Sequence, residues 1–241
     1  MLIDKYNMDI LCFCETWLKP DRMLFNVNNF SVASAYNRSS IGGGTLILCN
    51  NSLRYKERKD ITACSVDRLC EVACAEVEGR TFLCVYRPPA SNLTSFLIVI
   101  EEILNKLIKD SKLVFVCGDL NIDLLVNSPD KCKLLSLFSS FNLKCIFNEA
   151  TRITPTSASC IDNIHFSTKK SKHFRFHCFC PNLTQKRIHT MKKNTYIIAG
   201  SLAITVISEN SKFKIRISFV YLINEMNHCF ETNVCLGLEY I

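Results

Sequence analysis

Short apolar runs that end on acidic or amide residues recur in this chain, and they narrow its fold more than any other feature. Asp9 to Cys14 runs into Glu15, Leu113 to Cys117 runs into Gly118-Asp119-Leu120-Asn121, and Cys160-Ile161 runs into Asp162-Asn163. Runs of about five apolar residues bounded by turn formers read as strands buried on both faces. Their ends lie at the rim of a sheet, where a sheet-based enzyme holds a metal ion and a water. A further run, Thr81 to Tyr86, closes on Tyr86-Arg87-Pro88-Pro89 and brings a phenol and a guanidinium to the same kind of position.

Between these runs the hydrophobic period changes. Glu71 to Val77 alternates, Glu78-Gly79 is a tight turn, and Thr81 to Tyr86 completes a hairpin. Gly42-Gly43-Gly44 leads into Thr45 to Cys49, a buried strand whose start needs unusual backbone freedom. After Pro88-Pro89, Leu93, Phe96, Leu97, Ile100, Leu104 and Leu107 recur at helical spacing, with Ser91 or Asn92 as cap. Ser128 and Pro129 open a second helix whose apolar residues are Leu134, Leu135, Leu137, Phe138 and Phe141. Strands alternating with helices, with one hairpin among them, predict a mixed α/β sandwich.

With 241 residues and 48% apolar content, the chain can bury a core as one domain, or as one domain with an appendage. The longest candidate membrane segment, Tyr196 to Ile207, is too short to span a bilayer. No secretory signal opens the chain, so a soluble, intracellular protein with reduced thiols is expected. Most of the 15 cysteines, including Cys12, Cys14, Cys49, Cys74, Cys84 and Cys117, fall inside apolar runs, where a thiol packs as a small hydrophobe. His173, His177, Cys178 and Cys180 have ligand-like spacing but lack the second half of a zinc motif, and incidental basic sequence is the preferred reading.

Charge is uneven. Residues 1–162 hold 18 Lys/Arg and 18 Asp/Glu, whereas residues 163–241 hold 11 and 4, so the net +7 belongs to the later segment. Lys169, Lys170, Lys172 and Arg175 could follow a nucleic-acid backbone. A solvated, irregular tail is the plainer account of the same residues.

The chemistry-bearing residues each have two readings. Asp119 and Asn121 are two apart, so on an extended backbone they share a side and can hold one water, Asp119 accepting its proton and Asn121 fixing its direction. The same Gly-Asp-Leu-Asn can be a turn that caps a strand. Glu15 can give oxygen to Mg²⁺, which takes one or two carboxylates and keeps several waters. Tyr86 can donate to a phosphate oxygen and Arg87 can neutralise phosphate charge, or Tyr-Arg-Pro-Pro can simply stop a strand. Asp162 can orient a histidine imidazole, or be a satisfied structural carboxylate.

In order and spacing these pieces resemble the exonuclease–endonuclease–phosphatase superfamily and, within it, the apurinic-type endonuclease domain of non-LTR (LINE-like) retrotransposons. The likeness is carried by Asp9 to Leu18, by Gly42-Gly43-Gly44-Thr45, by Tyr86-Arg87-Pro88-Pro89, by Val116 to Asn121, and by Ala150 to Ser157 running into Cys160 to Ile164. It implies a four-layer α/β/β/α sandwich, two mixed sheets flanked by helices, that hydrolyses DNA phosphodiesters with Mg²⁺. It also implies roles: Glu15 as metal ligand, Tyr86 as phosphate contact, Asp119 and Asn121 as the water-positioning pair, and Asp162 as support for a catalytic His. No membrane and no obligate protein partner are implied, and a working copy would act in the nucleus.

The family pattern also has a first strand with an active-site Asn and a last strand with Ser-Asp-His. Met1 falls in what would be the helix after that first strand, and none of His165, His173, His177, His189 or His228 follows an Asp. The expectation is therefore a partial domain over residues 1–167 with little or no nicking activity, followed over residues 168–241 by a basic tail without family likeness. A non-catalytic module that binds nucleic acid through the tail, and a phosphatase or phosphodiesterase of the same fold, are the alternatives.

Overall fold

A computed structural model of the chain describes residues 9–18, 27–40, 42–110, 113–145, 149–153 and 156–167, and, as backbone alone, residues 174–179, 197–209, 212–223 and 229–240. Two sheets carry the fold. The first runs from β2 (Phe30–Tyr36) through β3 (Thr45–Asn50), β1 (Ile10–Cys14), β13 (Ile197–Glu209), β14 (Lys212–Ile223) and β15 (Cys229–Tyr240) to β12 (Phe174–Phe179), antiparallel throughout. The second is mixed and runs β4 (Tyr55–Glu57), β5 (Glu71–Val77), β6 (Arg80–Tyr86), β7 (Val114–Asp119), β11 (Asp162–Ser167) and β8 (Leu143–Cys145). The short helix α1 (Lys59–Thr62) follows β4, and β9 (Arg152–Ile153) with β10 (Ala158–Ser159) makes a small hairpin before β11. This is the α/β sandwich expected from the alternation of patterns.

The parallel pair β6–β7 needs a crossover, and α2 (Leu93–Asp110) supplies it. Of the two candidate caps for α2, Asn92 is the one used, since its Oδ1 accepts from the Ser95 N–H at 2.9 Å. Phe96, Ile100, Ile103, Leu104 and Leu107 form its buried face. In α3 (Pro129–Ser140) the Ser128 hydroxyl accepts from the Lys131 N–H at 3.1 Å, and Leu134 and Phe138 are buried. Among the described residues no helix is long and apolar enough to cross a membrane.

Every residue of β1 is buried, because the strand has a packed layer on each side. Ile10, Cys12 and Cys14 face the core between the sheets, while Leu11 and Phe13 join Leu46 and Leu48 in a separate outer cluster. The sulfurs of Cys14 and Cys84 meet at 3.7 Å across the inter-sheet core, and the cysteines whose side chains are described are all free.

Beyond residue 167, where the sequence predicts an irregular tail, the backbone forms β12 to β15, and β13 pairs with β1 from Ile10↔Ile204 to Phe13↔Ser201. The alternating segment Phe213 to Phe219 lies within β14. Of the four residues with ligand-like spacing, His177 and Cys178 fall on the backbone of β12, and His173 and Cys180 lie outside the described residues.

Register across the second sheet decides what its inner face presents. Ala75, Phe82, Phe115 and Phe166 form one cross-strand row, and Ala73, Cys84, Cys117 and Ile164 form the next. Glu71, Tyr86, Asp119 and Asp162 form a third row, where the strands reach the rim. Residues in one row point to one side of a sheet. Apolar contact therefore gives way to three carboxylates and a phenol within four residues along each strand.

Candidate active site

Hydrogen bonds hold the exit from β1 in an unusual conformation. Glu15 and Trp17 have φ of 53° and 54°, in the left-handed region that non-glycine residues rarely adopt. The Thr16 N–H donates to the Gly44 carbonyl at 3.4 Å and the Trp17 N–H to the Gly43 carbonyl at 2.9 Å. Gly44 is anchored in turn, its own N–H donating to Glu71 Oε2 at 2.6 Å. The fully buried Glu71 also accepts from Arg38 Nε at 2.6 Å. Gly44 itself sits at φ 90°, and a Cβ there would lie 2.5 Å from the Thr16 hydroxyl, so the glycine run is needed for this close approach.

So placed, the Glu15 carboxylate accepts a hydrogen bond from the Tyr86 phenol across the inter-sheet gap. Tyr86 and Asp119 are register partners, as are Asp119 and Asp162. Glu15, Tyr86, Asp119 and Asp162, drawn from four strands and both sheets, thus come together at one rim.

Asn121 joins them in a different way from the extended pair expected. The strand ends at Asp119, Asn121 has φ 48°, and its backbone N–H donates to Asp119 Oδ1 at 2.9 Å. This is a side-chain-closed turn of the kind Asp favours. The Asn121 side-chain amide donates to the Arg87 carbonyl at 2.8 Å. Arg87 is buried rather than presented to a phosphate: its guanidinium donates to the carbonyls of Ser91 at 2.9 Å, Asn121 at 3.2 Å and Leu120 at 3.3 Å. It also lies 5.8 Å from the centre of the Phe96 ring. Its positive charge closes the loop that carries Asp119, and the expected phosphate contact is replaced by three backbone acceptors.

Asp162 is buried on β11 and is bonded to Thr151: the Thr151 hydroxyl accepts from the Asp162 N–H at 3.1 Å, and its side chain hydrogen-bonds the carboxylate. The nearest sequence histidine, His165, is an odd number of residues away and points to the opposite face. Its ring packs edge-on against Phe138 at 4.5 Å, both ring nitrogens lack a hydrogen-bond partner, and burial pushes its pKa down to about 3.

The electrostatics follow from crowding. Burial raises the Asp119 carboxyl well above the usual carboxylate range, and Asp162 and Glu15 push it further against the opposing Asn121 N–H. Asp162 is pushed up to about 6, chiefly by burial with Glu15 adding, while Thr151 and Arg152 oppose. The Tyr86 phenol is raised as well, by burial first and then by Glu15, so it stays a proton donor. Among the described residues no group of three or more His, Cys, Asp or Glu side chains is placed to hold a metal ion. Yet like charges held this close, with Arg152 the opposing charge, suit a hydrated hard cation that takes one or two carboxylates and completes its shell with water.

Glu71 is the site-supporting residue that reading the runs one by one overlooks. A two-residue turn at Glu78-Gly79 fixes the hairpin register, and counting back from it sets Glu71 opposite Tyr86. The role of Arg38 has no comparable signal in the sequence.

Residues 1–185 match the profile of the Endonuclease/Exonuclease/phosphatase family. In fold the chain is similar to the 3′ phosphatase NExo from Neisseria bound to a product DNA hairpin, at 14% identity and a TM-score of 0.55 over 73% of this chain and 83% of that one. It is similar too to the catalytic domain of APE2 from Xenopus laevis, at 15% identity and a TM-score of 0.53 over 69% and 76%. A third likeness is to the endonuclease domain of TRAS1, a telomere-specific non-LTR retrotransposon, at 13% identity and a TM-score of 0.52 over 73% and 81%. Identities this low show the shared fold. No curated protein matches the chain.

Proposed function

Because the chain belongs to the endonuclease/exonuclease/phosphatase family, we propose that its rim site is that of a Mg²⁺-dependent DNA endonuclease of non-LTR retrotransposon origin, with low turnover. One observation carries this reading: Tyr86, Asp119 and Asp162 stand in a single cross-strand row, and the Tyr86 phenol reaches Glu15 from the other sheet. The DNA bound by the 3′ phosphatase and the retrotransposon source of the TRAS1 domain support the choice of substrate and origin.

In this mechanism Asp119 takes a proton from the attacking water. Its raised proton affinity, set by burial and by Asp162, makes it a stronger base than an exposed carboxylate. Asn121 and Arg87 hold that carboxylate in place through the turn they close. Tyr86, still protonated, can pass its hydrogen bond from Glu15 to a phosphate oxygen. A Mg²⁺ ion held by Glu15 would neutralise charge on the phosphate and the leaving oxygen.

The setting of Asp162 supports the low-turnover part of this reading. The histidine described nearest to it faces the helices, so among the described residues no imidazole meets the charge that develops on the phosphate. Loss of one such contact lowers rates by about two to three orders of magnitude in other enzymes. A supercoiled-plasmid assay with Mg²⁺ should show slow nicking, abolished by Asp119→Ala. Fast nicking lost in that variant would keep the nuclease and remove the low-turnover clause; nicking indifferent to Asp119 would end the assignment.

A further inference from the structure

Trp17 is the chain's only tryptophan, and it is 53% exposed. The next residue, Leu18, packs into the outer cluster of the first sheet, so the fold buries a neighbour of Trp17 and leaves the larger ring in solvent. Fraying does not account for this. The Trp17 N–H is bonded to Gly43, Gly43 precedes the Gly44 that donates to the buried Glu71, and Glu71 is held by Arg38. Left-handed backbone at both Glu15 and Trp17 persists where surrounding contacts over-determine it, and such positions gather at functional sites.

We propose that Trp17 is a stacking platform for a nucleobase of the nucleic acid whose phosphodiester lies at Glu15 and Tyr86. The inference rests on the nuclease reading and adds the residue that holds the substrate's base. Two residues of chain span at most about 7 Å, so the indole stands within reach of a nucleotide next to the one at the rim. An indole face accepts any base, because every base has a π face, so the contact grips the strand without reading its sequence. Glu15 and the rim carboxylates repel the phosphate chain, and a base contact beside them adds attraction to the one hydrogen bond that Tyr86 can give a phosphate oxygen.

A single tryptophan makes the test direct, since all indole emission comes from Trp17. The full chain is titrated in EDTA with a single-stranded oligothymidine, and separately with an abasic oligomer of equal length and charge. The oligothymidine should quench the emission saturably and the abasic oligomer should not. By anisotropy of a labelled oligothymidine, Trp17→Ala should weaken binding about tenfold to a hundredfold, and Trp17→Phe should restore most of it. Equal quenching by both oligomers, or unchanged affinity in Trp17→Ala, overturns the stacking role and leaves the nuclease reading intact. Failure to bind either oligomer overturns both. Base-dependent quenching with no Mg²⁺-dependent cleavage keeps the stacking role and removes the nuclease.

Discussion

The same four strands of the second sheet carry a row of Ala75, Phe82, Phe115 and Phe166 and, four residues further along, a row of Glu71, Tyr86, Asp119 and Asp162. In the first row the rings stack, Phe82 on Phe115 at 5.0 Å and Phe115 on Phe166 at 6.4 Å, and all three are buried. In the second row two carboxylates are register partners: Asp162 and Glu15 raise the proton affinity of Asp119, and Glu15 adds to that of Asp162. Backbone pairing is the same at both ends, so the difference lies in the side chains. One row holds the sheets together, and the other spends some of that stability to gather negative charge at the rim.

The sharpest way to break the comparison is Phe115→Ala. Removing a buried aromatic costs about 3–5 kcal/mol, and urea unfolding should report a loss of that order. If Asp119→Ala costs as much, the rim row is structural and the contrast between the rows fails.

Next in size is the opposite effect. Asp119→Asn should stabilise the fold at pH 7, because the unfolded chain ionises this carboxyl freely while burial and Asp162 oppose its ionisation in the folded chain. The same variant should lose metal-dependent cleavage. A fall in melting temperature at pH 7 would show that the carboxylate is better satisfied than the row suggests.

The pH dependence sharpens this. Asp162, raised to about 6, binds its proton more tightly folded than unfolded. Between about pH 4 and 6 the folded chain therefore carries the extra proton, and this group's contribution to stability falls as pH rises through that window. His165, lowered to about 3, acts in reverse: the unfolded chain takes up the proton below about 6.5, so its contribution is lost as pH falls. Melting curves of Asp162→Asn and of wild type should converge toward pH 4 and separate toward pH 7. Added Mg²⁺ should raise the wild-type melting temperature at pH 7 and have little effect at pH 4.

The smallest expected change is His165→Phe. Burying a ring with two unpartnered nitrogens costs what an apolar ring would not, so the substitution should be neutral or stabilising by about 1 kcal/mol and should flatten the acid limb. Destabilisation by more than about 2 kcal/mol would point to a partner for that imidazole.

Much of the architecture was legible without coordinates. The buried strands at Ile10, Thr45 and Val114, the hairpin through Glu78-Gly79, the Ser128 cap and the amphipathic faces of α2 and α3 all follow from local periodicity and turn chemistry. β2 was not legible, because Phe30 to Tyr36 mixes Ser and Ala with few large apolar residues, and its strand form depends on pairing with β3. The left-handed turn at Asn121 and the burial of Arg87 were hidden for a related reason. Each depends on groups distant in sequence, Arg87 on the carbonyls of Leu120 and Asn121 and Asn121 on the carbonyl of Arg87.

Sequence alone set which residues could be strands, which could cap helices, and which polar groups would stand at strand ends, because these depend on periods of two and 3.6 and on the chemistry of single turns. Only the tertiary structure decided that Glu15 would meet Tyr86, that Asp119 would face Asp162, and that Glu71 would brace the glycine loop behind Trp17. Those contacts join residues 27 to 71 positions apart, and no local pattern encodes a meeting that arises from sheet order and register.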